Sequence, residues 1–358
     1  MSAPSILVYG AYGYTGELVL RRARAQGIAV IAAGRDAART DEVARANGFA
    51  ARAAALDDAP ALDRLLEGVR VVLHCAGPFA RTSRPMVDAC LRRGVHYLDV
   101  TGELEVFEAV AARDAAAKSA GVVLLPGTGF DVVPSDCLAA HLARRLPTAT
   151  RLALAFRTTG GISRGTATTM AENAGKGGAV RRGGRIVGVP AAWRARSIDF
   201  GDGRERLAVT IPWGDVSTAY HSTGIGDVEV YTAMSPAQRR SLVASRWLGW
   251  LLASAPVQRA LLGRIRAGAP GPDDARRARG RTMLWGEASD DAGGRVESRL
   301  RCPEGYTLTA MTAFECARRV AAGEVQPGFH TPSRAFGPDF VLGFEGVTRS
   351  DVPCPSMP

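Results

Sequence analysis

From residue 5 to about residue 146 the chain alternates short apolar runs with amphipathic stretches, a rhythm that few folds satisfy. The apolar runs at 6–9, 28–33, 69–74, 96–100 and 122–125 have strand length and little polar alternation. Strands of that kind need cover on both faces, which the segments at 15–25, 61–66 and 84–93 provide as helices. Local signals mark the helix ends. Asp57-Asp58-Ala59-Pro60 opens the second helix, Thr82 and Ser83 are candidate caps for the third with Pro85 in its first turn, and Gly94 stops it. The expected class is α/β, with a Rossmann-type parallel sheet over residues 1–135.

Beyond about residue 147 the rhythm changes. Runs at 151–157, 207–211 and 228–232 read as strands joined by glycine-rich connections, which predicts a second α+β domain with a mainly antiparallel or mixed sheet over 136–327. A helical insertion rich in Leu, Trp and Arg fills 236–281 within it. The last segment, 328–358, carries the cap-like Thr331-Pro332-Ser333 before a short helix and is expected to return to the first domain.

The stretch GAYGYTG, residues 10–16, follows the first strand and opens the first helix. Glycines there let backbone amides approach a pyrophosphate, and the helix N-terminus adds partial positive charge. Gly10, Gly13 and Gly16 are spaced three and three, and Thr15 offers a hydroxyl beside the last of them. About twenty residues on, the second strand ends in Gly34-Arg35-Asp36, where an acid would read a ribose 2′-hydroxyl and an arginine a 2′-phosphate. Arg35 comes first and Asp36 suits the start of the next helix, so NADP(H) is the preferred cofactor over NAD. HCAGPF, 74–79, ends the strand at 69–74 on the same sheet edge, with Gly77 permitting close backbone approach. Phe79 there is either an apolar wall for the nicotinamide or ordinary packing under a loop.

Two further stretches deliver polar groups to that edge: HYLDVTGE, 96–103, and GTGFDVVPSD, 127–136. Tyr97, Asp99, Thr101, Glu103, Asp131, Ser135 and Asp136 are the titratable and hydroxyl candidates, although Ser135 after Pro134 reads as a helix start. Asp99, between Leu98 and Val100, is either an acid–base group or a structural carboxylate. His221, in YHSTGIGD, and Lys176, in AENAGKGG, are the candidates in the second domain. Lys176 stands out because the chain has only one other lysine, Lys118, and an ammonium can shift its pKa where a guanidinium cannot. The proton donor is therefore open among Tyr97, Asp99, Lys176 and His221.

Composition removes other classes. The net charge of +10 comes from arginines scattered through an alanine-rich chain, without a helix-turn-helix, RNP-like or zinc-finger pattern, so nucleic acid is not an expected partner. Six cysteines without a C-x-x-C pair argue against a metal site and a disulfide framework, and free thiols in the cytoplasm are expected. No apolar stretch approaches the length of a membrane span. Ser-His-Asp, H-E-x-x-H and P-loop patterns are absent.

As a set, GAYGYTGELV, AGR at the second strand, CAGPF, ACLRRGVHYLDVTGE, GFDVVPSD, GGISRGTATT, LWGEA, EGYTLTA and GFHTPSRAFG resemble the saccharopine dehydrogenase-like oxidoreductases, and within them the branch of trans-acting enoyl reductases. The resemblance spans nearly the whole chain. It implies an N-terminal domain binding NADP(H) through Gly10, Gly13, Tyr14, Thr15, Gly16, Arg35, Ala76, Gly77 and Pro78, with Phe79, Gly102 and Asp131 completing the expected cofactor edge. It also implies a second domain with substrate and homodimer contacts. The expected activity is hydride delivery to a polarised C=C, or to C=N or C=O, of a small-molecule or carrier-linked acyl substrate. The alternatives are a non-catalytic NADP(H) sensor or scaffold, and a dehydrogenase of a saccharopine-like secondary amine. In the insertion, Leu242, Val243, Trp247, Trp250, Leu251 and Leu252 among arginines form a candidate surface for an acyl chain, a carrier protein, a membrane or a dimer partner.

Overall fold

A computed structural model describes residues 5–173, 175–252 and 254–353. The chain divides into two compact units, residues 1–133 with 306–336, and residues 134–305 with 337–358.

The first unit runs β1 (Ile6–Tyr9), α1 (Tyr14–Ala25), β2 (Ile31–Gly34), α2 (Ala37–Asn47), β3 (Ala50–Ala53), α3 (Ala59–Leu65), β4 (Val71–His74), α4 (Phe79–Arg93), β5 (His96–Asp99), α5 (Leu104–Ala111), α6 (Asp114–Ala120) and β6 (Val123–Leu125). Its sheet has the order β3-β2-β1-β4-β5-β6, all parallel, and β15 (Gly328–Phe329) extends it beside β6. Every residue of β1, β2 and β4 is buried, as strands covered on both faces must be. Strand order reverses between β1 and β4, and crevices at such a reversal are where α/β sheets bind ligands.

The second unit begins with α7 (Val133–Arg145) and β7 (Arg151–Thr159), followed by α8 (Arg164–Glu172), β8 (Gly178–Arg182), β9 (Arg185–Val189), β10 (Ala195–Asp199), β11 (Glu205–Thr210), α9 (Asp215–Thr223) and β12 (Asp227–Ala233). The insertion is the helices α10 (Pro236–Leu252), α11 (Ala255–Ala267) and α12 (Asp274–Arg279), after which β13 (Arg281–Ser289) and β14 (Arg295–Pro303) form a long hairpin. The nine-stranded sheet is mixed, with β12 and β7 parallel and the other ladders antiparallel. Helix α7 lies on it through Leu138 and Leu142. A methyl at Gly286 would come 2.6 Å from Leu142.

Three expectations need correction. Helix α13 (Gly305–Ala321) and α14 (Pro332–Phe336) belong with the first unit, so its sequence is not continuous to residue 135 and the second unit does not extend to 327. Thr309 accepts the Phe130 amide at 2.9 Å and Thr312 donates to the Thr128 carbonyl at 2.8 Å, contacts far apart in sequence that no local signal announces. The tail divides as well: β15 joins the first sheet, but β16 (Thr348–Val352) pairs with the open edge of β14 in the second. Finally, α4 starts at Phe79, five residues before the sequence-predicted start, and Pro85 lies inside it.

Candidate functional site

The glycine stretch is built for close approach. Gly10 has φ +85°, and a methyl there would lie 2.8 Å from the Ala76 amide nitrogen, so β1 and the loop after β4 meet at the strand-order reversal. A methyl at Gly16 would fall 2.3 Å from the Gly10 carbonyl oxygen, which holds the first turn of α1 against the loop. Gly13 is the N-cap and no side chain caps this helix. First-turn amides lack intrahelical partners and carry the positive end of the helix dipole, which fits an anion. Thr15 stands in that turn, and Tyr306 of α13 meets Tyr14 edge to face at 5.0 Å.

At the end of β2 the two competing residues separate. Asp36 is the N-cap of α2 and accepts the Arg39 amide at 3.1 Å. Arg35 is exposed and has no hydrogen bond or ion pair among the described residues. The Arg39 guanidinium lies 4.3 Å over the Tyr12 ring, and Tyr12 packs so tightly on Gly34 that a methyl there would come 2.5 Å from its ring. The end of β2 thus carries one bare arginine and a second one laid on an aromatic face.

The loop after β4 contains a cis Gly77-Pro78 bond, with the Thr82 hydroxyl donating to Ala76 and Pro78 carbonyls at 2.6 and 3.1 Å. Glu103 caps the helix that follows: its two oxygens accept the Phe79 and Ala80 amides at 2.8 and 2.7 Å. Thr82 and Ser83 are therefore not the caps. Phe79 is buried and packs edge to face on His74 at 5.5 Å.

Tyr97 and Asp99 are brought together, both fully buried. The Tyr97 hydroxyl donates to Asp99 at 2.8 Å, and the other carboxylate oxygen accepts the Thr101 and Gly127 amides at 3.0 and 2.8 Å. Burial raises the Asp99 pKa to about 6 against the pull of those donors. This geometry ties the end of β5 to the end of β6 through two buried side chains. Asp131 differs. It is half-buried beside Gly102, and burial together with the nearby charge of Glu103 pushes its carboxyl up to about 7. Lys176 and His221 lie in the second unit. The exposed Lys176 ammonium donates to Asn173 at 2.9 Å, and the His221 ring, on α9, meets Tyr220 edge to face.

Residues 6–125 match the family described as "Saccharopine dehydrogenase NADP binding domain". Residues 6–125 of the first unit are therefore an NADP-binding domain of that description. Its cofactor is NADP(H), which the uncapped α1, the glycine cradle and the bare Arg35 suit. A trans-acting enoyl reductase of Mycobacterium leprae is 35% identical over 149 residues, 39% of this chain and 36% of that protein. A saccharopine dehydrogenase-like oxidoreductase of Mus musculus is 33% identical over 76 residues, 21% of this chain and 18% of that protein. These matches span about a third of the curated relatives' length or less. Apo saccharopine dehydrogenase (L-Glu forming) from Saccharomyces cerevisiae shares the fold at TM-score 0.67, over 98% of this chain and 100% of that one, at 14% identity. The chain thus has an NADP-binding domain of an oxidoreductase family and the saccharopine dehydrogenase fold.

Sequence reasoning missed Tyr12, Arg39, Tyr306 and the capping role of Glu103 in this NADP-binding domain. Arg39, in the first turn of α2 and four residues after Arg35, was a legible signal, since a second arginine close to the end of β2 can also serve a 2′-phosphate. The partners of Glu103 and Tyr306 lie far away in sequence and left none.

Proposed function

We propose that the protein is an NADPH-dependent reductase acting on a polarised C=C of an acyl substrate, with Asp131 as the proton donor. The observation that carries this reading is the Asp131 carboxyl, held near neutrality at the same sheet edge as the glycine cradle. NADPH, when bound, supplies the hydride. The chain's own part is to bind, orient and protonate. The N-terminus of α1 and Gly10, Gly13 and Gly16 would hold the pyrophosphate, Thr15 would add a hydroxyl, and Arg35 with Arg39 would hold the 2′-phosphate. Ala76, Gly77 and Pro78 would set the floor beneath the nicotinamide. A carboxyl of pKa about 7 is protonated in part at neutral pH and gives its proton readily, which suits a general acid. Glu103 would keep that pKa high by its charge while its oxygens hold the start of α4. Lys176 and His221 are the proton donors this reading replaces. The name of the Mycobacterium leprae relative favours C=C over C=N or C=O.

The test is to incubate the protein with NADPH and a panel of enoyl, imine and keto substrates while following the absorbance of the reduced nicotinamide. Oxidation with enoyl substrates, lost in Asp131→Asn, is the expected result. Tight NADPH binding with no turnover on any panel member would overturn it and leave a sensor or scaffold.

A further inference from the structure

Helices α10 and α11 present a surface that hydride transfer does not use. From residue 236 to 267 the chain carries Arg239, Arg240, Arg246, Arg259, Arg264 and Arg266 and no Asp or Glu. Trp247 and Trp250 are 82% and 75% exposed, and Leu251 is exposed beside them. Spaced i, i+3 and i+4, these three side chains share one face of α10. The side chain of Leu252 lies outside the described residues.

The helix carrying the tryptophans is anchored. Gly249 crosses Gly175 so closely that a methyl on Gly175 would lie 2.9 Å from the Gly249 Cα. The Arg246 guanidinium donates to the Ala191 and Ala192 carbonyls at 2.8 and 3.0 Å. Beside Trp247 opens a cavity of about 390 Å³ lined in part by Lys176, Ser245 and Arg246. On neighbouring α8, which Gln258 of α11 holds through the Ala171 carbonyl, Met170 is also exposed.

We propose that this face docks on an anionic phospholipid surface, with α10 lying in the plane of the headgroups. An indole suits that depth because its ring is apolar and its N–H polar. An acid-free run of arginines attracts anionic headgroups, and the cationic cavity beside Trp247 has the polarity to receive one. No helix among the described residues is long and apolar enough to cross a membrane, so α10 would lie on the surface and not span it. A second copy fits less well, since a two-fold contact through this face would bring like-charged arginines together. An acidic protein would satisfy the arginines without an apolar phase for the indoles.

The test compares flotation of the full chain with phosphatidylcholine vesicles and with vesicles that also contain phosphatidylserine, at low and high salt. Binding only to the phosphatidylserine vesicles is expected, weakened by salt and weakened about tenfold or more in both Trp247→Ser/Trp250→Ser and Arg239→Glu/Arg240→Glu. Far-UV circular dichroism and NADPH binding check that the variants fold. Three results would overturn the proposal: no flotation of the wild type, equal flotation of folded variants, or a dimer in solution that the tryptophan variant dissolves while neither protein floats. So would binding to a soluble acidic carrier protein in place of vesicles.

Discussion

The carboxyl of Asp131 stands directly against the backbone of Gly102, where a methyl group would come 2.7 Å from Asp131 Oδ2. The fit leaves room for the acid only because residue 102 is glycine. With its pKa raised to about 7, mainly by burial and then by Glu103, Asp131 holds its proton below that pH, as the proposed acid must. Turnover should fall as pH rises through about 7, and Asp131→Asn should abolish both the activity and that limb of the profile. Stability has its own sign. The folded pKa lies above the unfolded one of about 3.9, so the folded state holds the extra proton between these values and loses stability as pH rises through them. Asp131→Asn should therefore be more stable than wild type at pH 8, by on the order of 1 kcal/mol in urea melts. An asparagine variant with wild-type turnover removes Asp131 from the mechanism.

Arg35 and Asp36 sit next to each other and should fail differently. Arg35→Ala should lower the preference for NADP over NAD by about tenfold or more, because a bidentate charged contact to phosphate is lost. Arg39→Ala should act in the same direction. Asp36→Ala should leave the preference alone and cost about 1 kcal/mol of stability through the lost cap of α2. Titrations of both cofactors against the three variants, with thermal melts, decide it. Cofactor discrimination that follows Asp36 would reverse the assignment.

Tyr97 is expected to be structural. Tyr97→Phe removes a buried hydrogen bond to Asp99 and should cost about 1–3 kcal/mol of stability. Its kcat on any substrate the wild type turns over should stay within about twofold once the protein is folded, since the hydroxyl is fully buried. A large loss of kcat in a stably folded variant would restore Tyr97 as a proton donor.

What was legible in the sequence was local. The strands at 6–9 and 71–74 follow from apolar runs, the end of α4 from Gly94, which sits at φ +66°, and the start of α2 from the capping habit of aspartate at position 36. What was hidden was non-local. The start of α4 depends on Glu103, twenty-four positions from Phe79, and its carboxylate replaces the cap that Thr82 and Ser83 were expected to give. The sorting of 306–336 to one sheet and of 348–352 to another depends on which strand edges stand open after the rest has folded, and no window of sequence records that. Asp99 had two readings because alternation shows burial, not the three donors that await the carboxylate.

His74 ends β4 in full burial, among the rings of Tyr9, Phe79 and Tyr97, and neither ring nitrogen has a partner among the described residues. Burial lowers its pKa to about 3, so it is neutral in the folded protein at any ordinary pH. Once unfolded it takes a proton near pH 6.5, so between 6.5 and 3 the unfolded chain binds more protons than the folded one. Stability should therefore fall as pH drops through that window, by up to about 1.4 kcal/mol per pH unit from this residue. His74→Leu should flatten the acid slope. At pH 7 it should stay within about 1 kcal/mol of wild type, because an apolar side chain loses no hydrogen bond there. Urea denaturation of both proteins from pH 7 to pH 4 gives the comparison, and an unchanged slope in the leucine variant would place the acid sensitivity elsewhere.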